Sequence, residues 1–286
     1  MRVLRGLGTS FEIVLVNDGS RDGSWNTIEA LALRHPEVIG VDLMRNYGQH
    51  NALLCGIRRA RHEVIVTLDD DLQQPPEEIP RLLEKLAEGF DVVYGTPQQL
   101  QHGWWRNVSS RLIKAALGTA IGAVVAPMVS AFRAIRASVK PAFEDYRSPL
   151  VSIDVLLTWA TTSFAAVPVR SDRRSSGTSN YSIRSLVRHA MNMMTGFSLV
   201  PLQLATLTGF VFTLFGLGIL VYVLGRYVMS GTSVAGFPFL ASIVAIFSGA
   251  QLFALGIIGE YLGRMHMRTM ERPPYIVRAH TSSGDA

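Results

Sequence analysis

Two long stretches without a formal charge constrain this chain more than anything else in it. From Met191 to Tyr227 the only charged residue is Arg226, and the window Leu202 to Leu224 has none. A second uncharged run extends from Phe237 to Ile258 and ends at Glu260. About 20 apolar residues in a helix cross the hydrocarbon core of a bilayer. The competing reading is a pair of helices buried in a large soluble core. It is the weaker one, because two runs of spanning length lie side by side. The composition agrees with lipid contact: charged residues are 17%, and the mean hydropathy is +0.25. Ordinary soluble chains carry about 25% charged residues.

The link between the runs, Arg226 to Gly236, is short, so an antiparallel helical hairpin is expected. Basic residues set its orientation. Arg170, Arg173, Arg174, Arg184 and Arg188 precede it, and Arg264, Arg268, Arg272 and Arg278 follow it. The link holds only Arg226. Basic flanks stay cytoplasmic, so the expected protein is a multi-pass one of the cytoplasmic membrane with both termini inside. Residues 183, 186, 187, 190, 191 and 194 repeat an apolar side at helical spacing, with Arg184 and Arg188 on another side. That pattern suits a helix lying in the interface near lipid phosphates, or an amphipathic helix packed on the soluble domain. The resulting expectation is a cytosolic domain over 1–180, an interface helix over 181–198, two membrane helices over 199–262 and a cytosolic tail over 263–286.

The first half obeys a different pattern. Phe11 to Val16, Val38 to Leu43, Glu63 to Leu68 and Asp91 to Tyr94 are short apolar runs. They alternate with helical patterns over roughly 22–34, 49–61 and 77–88, the last started by Pro75-Pro76-Glu77-Glu78. Continuous apolar strands suit a sheet covered on both faces. The alternation predicts an α/β fold with a doubly wound, mostly parallel sheet. Such sheets bind ligands beyond the carboxyl ends of their strands. Two of the predicted strands run there into Asn17-Asp18-Gly19-Ser20 and Asp69-Asp70-Asp71-Leu72-Gln73. In extended backbone Asp69 and Asp71 project to one side. With Gln73 they offer a hard-oxygen set for Mg²⁺ or Mn²⁺, cations that also hold substrate phosphates. A net charge of +5 fits an anionic membrane or a phosphorylated substrate. Nucleic acid is not expected, because the basic residues gather at the membrane end. The single cysteine, Cys55, lies in an apolar helical pattern and reads as a packing residue without a disulfide. His50 and His102 lack metal-ligand spacing and read as surface residues, and the first ten residues carry no signal-peptide core. Trp104 and Trp105, beside Arg106 and Arg111, read equally as a sugar or lipid contact or as packing.

Taken in order, these pieces resemble the family 2 glycosyltransferases with an A-type nucleotide-sugar fold. The similarity is greatest to the polyisoprenyl-phosphate subgroup of dolichol-phosphate mannose synthase and the bactoprenol glucosyltransferases. The residues that carry it are Val16 to Ser20, Arg45-Asn46-Tyr47-Gly48, Asp69 through Glu77, Phe132-Arg133, Arg170 through Tyr181, and Gly259-Glu260-Tyr261-Leu262-Gly263-Arg264. The resemblance implies inverting, metal-dependent transfer of a hexose from a UDP- or GDP-linked donor to a polyprenyl phosphate at the cytoplasmic face. It implies that Asp18 contacts the base, that Asp69 and Asp71 with Gln73 hold metal and diphosphate, and that Arg45 and Arg133 bind substrate. It further implies that Arg170, Arg173, Arg174, Ser175, Ser179 and Tyr181 form a basic lid over donor and acceptor phosphates, with Arg173 counted among the catalytic groups. A homo-oligomer, membrane-lipid contact and a separate flippase for the product belong to the same implication.

Two departures accompany the resemblance. Relatives usually carry Asp at the position of Ser130. They also begin with a strand and a Pro-any-Tyr-Asn-Glu segment, where this chain has only Met1 to Ser10. That predicts two unpaired strand edges inside the sheet, from a start upstream of Met1 or from a truncated copy. The otherwise undamaged motifs favour the first. The alternatives are an inactive membrane scaffold, which both departures would support, and a processive polysaccharide synthase. The synthase would carry Gln-any-any-Arg-Trp and more spans, whereas residues 101–106 read QHGWWR.

Overall fold

The computed structural model describes residues 1–71, 73–97, 118, 121–122, 124–172, 196–230 and 236–281. The chain opens with a short helix α1 (Arg2–Gly6) and strand β1 (Ile13–Asn17), then α2 (Ser24–Arg34), β2 (Val38–Leu43), α3 (Gln49–Arg59) and β3 (Val64–Thr67). A 3₁₀ turn, Pro76–Glu78, leads into α4 (Ile79–Ala87) and β4 (Val92–Pro97). After the intervening segment come β5 (Arg133–Arg136), α5 (Pro141–Glu144), α6 (Ile153–Ala160) and β6 (Phe164–Val169). Two long helices, α7 (Val200–Ser230) and α8 (Phe237–Thr269), precede a last strand, β7 (Val277–His280).

The strands form two mixed sheets, ordered β1-β2-β7 and β3-β5-β4-β6. The pairs β1/β2 and β4/β6 are parallel, whereas β5 and β7 run antiparallel to their neighbours. Among the described residues β1 and β3 each have a strand partner on one side only. Helix α3 spans this discontinuity. Its Gly56 lies 3.5 Å from Val16 of β1, measured from a Cβ placed there, while Leu54 and Ile57 share a core cluster with Ile65 of β3. Glu12, just before β1, accepts from the backbone N–H and side chain of Arg61 beyond α3, at 2.6 and 3.0 Å.

Period-two alternation explains the second sheet. Val92, Tyr94 and Ile135 of β5 face one cluster with Phe143, Ile153 and Leu156 from α5 and α6. Val93 and Ala134 face the other, against Ile79, Leu82 and Leu86 of α4. Both faces are covered, so apolar residues run without interruption along the strands. Cys55 is buried beside Val41 and Leu43, and burial pushes its thiol from 9.0 up to about 11. At pH 8 that leaves on the order of one thiolate per thousand molecules. The folded chain should therefore resist iodoacetamide at pH 8 and label only on denaturation. The thiol's contribution to stability is whole below pH 9 and is lost toward pH 11, because the unfolded thiol gives up its proton first.

Helices α7 and α8 pack as a hairpin through an edge-on contact of Phe212 and Phe247, with Gly216 directly beneath the Phe247 ring. Spans Val200–Met229 and Ile246–Thr269 are long and apolar enough to cross a membrane, with mean hydropathies of 2.3 and 1.3. Their large side chains, among them Leu214, Leu220, Val221, Leu252 and Phe253, are exposed. Among the described residues nothing covers them, which is not the burial a pair of soluble-core helices would show. Glu260, expected as a structural partner for an arginine, pairs with Arg264 at 2.7 Å.

The segment after the hairpin departs from the tail expected there. Tyr275 packs on Arg58 and the Cys55 cluster, and Met44 N–H donates to Ile276 O at 2.9 Å. Strand β7 then pairs with β2, and Gly40 and Thr281 exchange hydrogen bonds through Gly40 N–H to Thr281 Oγ1 and Thr281 N–H to Gly40 O. Residues 270–281 thus tie the helical hairpin to the first sheet.

Candidate active site

The site assembles where β1, β2 and β3 end. Asn17, the last residue of β1, is buried and donates to Asp42 at 2.7 Å, joining the ends of β1 and β2. Asp18 follows it. Its two carboxylate oxygens accept the backbone N–H groups of Tyr47 and Gly48 at 2.7 and 2.8 Å. Asp18 therefore fixes the turn after β2, a task the sequence reading did not give it. Gly19 makes the fit possible: it sits at φ 67°, and a Cβ there would fall 2.4 Å from the carbonyl carbon of Arg45. Gly19→Ala adds left-handed strain to a backbone collision. It should cost about 1–3 kcal/mol and dislodge the 45–48 turn, read as a lowered thermal midpoint together with weakened donor binding.

The same turn reaches the acidic run. Gln49, the first residue of α3, donates from Nε2 to Asp69 Oδ1 at 2.7 Å. Asp71 Oδ1 accepts from the Gln73 N–H at 3.1 Å. Desolvation, then the nearby negative charge of Asp71, raise the pKa of Asp69 above the ordinary aspartate value, and the Gln49 bond and Arg133 oppose that rise. A desolvated Asp69 beside the charge of Asp71 at the mouth of a sheet forms a site that gains from a cation. No set of three or more His, Cys, Asp or Glu gathers there among the described residues. The donor set therefore fits a cation that keeps waters and takes substrate phosphates, the habit of Mg²⁺ or Mn²⁺, rather than a closed protein cage.

Arg133 departs from the substrate-binding expectation. It is 2% exposed, its Nε donates to Thr67 Oγ1 at 3.1 Å, and its Nη1 is paired with Asp154 of α6. Tyr94 donates to the same Asp154 oxygen at 3.0 Å and lies under the guanidinium. Burial and Asp154 push the Tyr94 pKa up, which keeps its proton in place. Arg133 is thus consumed inside the core, two residues behind Asp69 on the neighbouring strand. Its positive charge still favours ionised Asp69.

Arg45 is exposed and lies over the Tyr47 ring at 4.7 Å. Arg170 follows β6 and pairs with Asp172 at 3.2 Å, while the Asp172 N–H donates to Gln73 O at 2.8 Å. The root of the basic segment is thereby held against the acidic run. Arg173, Arg174, Ser175, Ser179 and Tyr181 lie outside the described residues, as do the expected interface helix over most of its length, Trp104, Trp105 and His102. Ser130 Oγ accepts from the Phe132 N–H at 3.3 Å. His50 is not a free surface residue: it is half-buried, and its Nδ1 accepts from the Ile153 N–H at 3.3 Å. Sequence reasoning missed Asp42, Asp154 and Tyr94. Asp154 had a signal, as the one charge inside Ile153-Asp154-Val155-Leu156-Leu157.

Residues 2–140 match the model of the family described as glycosyl transferase family 2. Relatives align along nearly the whole chain. An undecaprenyl-phosphate 4-deoxy-4-formamido-L-arabinose transferase of Pseudomonas aeruginosa is 37% identical over 274 residues, covering 95% of this chain and 81% of that protein. Proteins of the same name from Shewanella sediminis and an Enterobacter species are 35% and 34% identical, covering 95% and 97% of this chain and 83% and 86% of their own lengths.

Proposed function

From the premise that this chain belongs to glycosyl transferase family 2 and is a glycosyltransferase, we propose that it moves a sugar from a nucleotide-sugar donor to undecaprenyl phosphate at the cytoplasmic face of a membrane. The observation that carries this reading is the pair Asp69 and Asp71 at the mouth of the strands, with Asp69 one hydrogen bond from Gln49 next to the turn that Asp18 holds. The hairpin supports a membrane-borne acceptor, since its apolar surface is uncovered. The sequence suggested a hexose. The relatives are named for a formamido-pentose, and 4-deoxy-4-formamido-L-arabinose is accordingly the preferred sugar.

The reaction is a single displacement with inversion. An oxygen of the acceptor phosphate attacks the anomeric carbon, the bond to the diphosphate breaks, and the nucleoside diphosphate leaves with the electron pair. The acceptor oxygen is already ionised near pH 7, so alignment and charge absorption matter more than a strong general base. Asp69 and Asp71 would hold a divalent cation that neutralises the departing diphosphate. Gln49 orients Asp69, Arg133 keeps it ionised from behind, and Arg170 with the basic segment that follows would meet the phosphates. Both ends of the chain are assigned to the cytoplasm on the positive-inside pattern of the flanks.

The test is transfer of radiolabelled sugar from a panel of UDP- and GDP-sugars, including the UDP-linked formamido-arabinose, to undecaprenyl phosphate in membranes holding this chain. Product that depends on Mg²⁺ or Mn²⁺ is expected with one donor. A folded, membrane-inserted chain that makes no product from any of them would sink the reading in favour of a scaffold.

A further inference from the structure

Helix α8 ends in a turn that the fold holds from both sides. Glu271 adopts φ 47°, in the left-handed region, and Arg272-Pro273-Pro274 then redirects the chain before Tyr275 and β7 dock on the sheet. Proline fixes its own φ and cannot extend the helix, so the turn is stiff. Opposite it stands the 45–48 turn that Asp18 holds. Between the two lies a cavity of about 350 Å³, walled by Arg45, Asn51, Pro149, Met267, Arg272 and Pro273.

Three features of this wall define a ligand. Arg45 and Arg272 are exposed, and among the described residues neither has a carboxylate partner. Asn51 is 7% exposed, and its Nδ2 donates to Tyr47 O and Pro149 O at 2.8 and 3.3 Å. Its Oδ1 is buried with no hydrogen-bond partner. Two guanidinium groups call for an anion, most aptly a phosphate. A buried lone acceptor calls for a hydroxyl, P–OH or N–H donor on the same molecule.

The cavity's height selects the kind of phosphate. Arg268 donates to Gly196 O at 2.8 Å and lies over Phe197, and Arg264 lies beside Gly196, where the chain enters α7. Met267 is therefore level with the membrane-side entry of both long helices, the depth at which lipid headgroups sit. We propose that this cavity is a second anion site, separate from Asp69 and Asp71, that takes the phosphate head of a membrane lipid with a donor of the same head on Asn51. The proposal rests on the hairpin lying in a membrane, and not on sugar transfer.

Calorimetric titration of the full chain in detergent, with no sugar donor, tests it. The probes are farnesyl phosphate as a short polyprenyl phosphate, dihexanoyl phosphatidylglycerol, inorganic phosphate and UDP. At least one lipid should bind, inorganic phosphate more weakly, and Arg272→Gln and Arg45→Gln should each weaken the lipid about tenfold. Farnesyl phosphate responding alone would assign the cavity to the acceptor, and both lipids responding would assign it to headgroups generally. Arg272 is exposed and makes no described hydrogen bond, so Arg272→Gln should fold. Absence of lipid binding by the wild type would overturn the proposal. So would lipid binding unchanged within about twofold in both variants, or the same arginine dependence shown by inorganic phosphate or UDP instead of the lipids. Because no donor is present, a failure of the transfer assay leaves this result standing, and the reverse holds as well.

Discussion

Asp71→Ala is expected to lower sugar transfer by about 10²–10³-fold, the size of effect seen when one preorganised electrostatic group is removed from a reacting centre. Asp71 accepts the Gln73 N–H and raises the proton affinity of Asp69 across the mouth of the sheet. Without it the site keeps one carboxylate, and the charge that would hold a cation against the diphosphate is halved. Asp69 itself should ionise more readily, because one of the two main causes of its raised pKa is gone. Fold stability should hardly change, since the half-buried Asp71 carries no core packing. The control is Asp70→Ala. Asp70 is exposed in the turn after β3, whereas Asp71 is half-buried, so the loss of Asp70 should leave transfer within about twofold. Initial rates in the same membranes, with the amount of inserted protein measured in parallel, decide the matter. Equal losses in the two variants would show that the site does not distinguish Asp71 from its neighbour.

The largest expected effect on stability lies in the buried cluster behind the site. Asp154→Ala strands the Arg133 guanidinium in the core, with only Thr67 and the Tyr94 ring left to face it. Side-chain exposures of 2% and 7% allow little water to replace the lost carboxylate. Removing one partner of a buried pair costs about 3–5 kcal/mol, a large part of the 5–15 kcal/mol typical of a domain. The thermal midpoint of the full chain in detergent should fall by roughly 6–20 °C. Arg133→Ala should behave similarly, leaving the carboxylate of Asp154 with Tyr94 alone. Replacing both, Arg133→Met with Asp154→Leu, should cost less than either single change, because no unpaired charge remains. A single variant whose midpoint moves by less than about 2 °C would mean that the pair is not dry. The cluster also meets Asp69 through charge, so Arg133→Met with Asp154→Leu tests position as well as stability. A stable double variant with reduced transfer would show that Arg133 tunes Asp69 from behind.

Much of this molecule could be read without coordinates, for identifiable reasons. Val38 to Leu43 reads as a strand because it is covered on both sides, and it is one. The proline pair before α4 starts the helix where Pro75-Pro76-Glu77-Glu78 places it. The two uncharged runs read as membrane helices because two runs of spanning length lie side by side, and they form two long helices whose large described side chains are exposed. The acidic run was legible because its three aspartates directly follow an apolar strand run, although β3 ends at Thr67 and Asp70 and Asp71 lie in a turn rather than in extended backbone. Cys55, too, follows from its apolar helical neighbours.

What escaped the sequence depends on contacts between distant residues. Asp18 and Arg133 carry motif identities that suggest ligand contact. Only the fold shows Asp18 holding backbone N–H groups 29 and 30 residues away, and Arg133 committed to Asp154. A motif records which residue is present, whereas the partner that consumes its hydrogen-bonding capacity is set by packing. Strand β7 is the same case: four residues after a Pro-Pro turn carry almost no periodic signal, and they become a strand because β2 offers an unpaired edge far earlier in the chain, with Asp42 opposite Ala279 and the Arg278 side chain on the Asp42 carboxylate. The sequence by itself determined the mixture of strands and helices in the first half and the pair of membrane-length helices after it, because hydrophobic periodicity and charge are local properties. The tertiary structure alone decided which polar groups are spent inside the fold and which are left facing a ligand, because a buried charge or hydrogen-bonding atom must be satisfied by whatever the folded chain brings within about 3 Å of it.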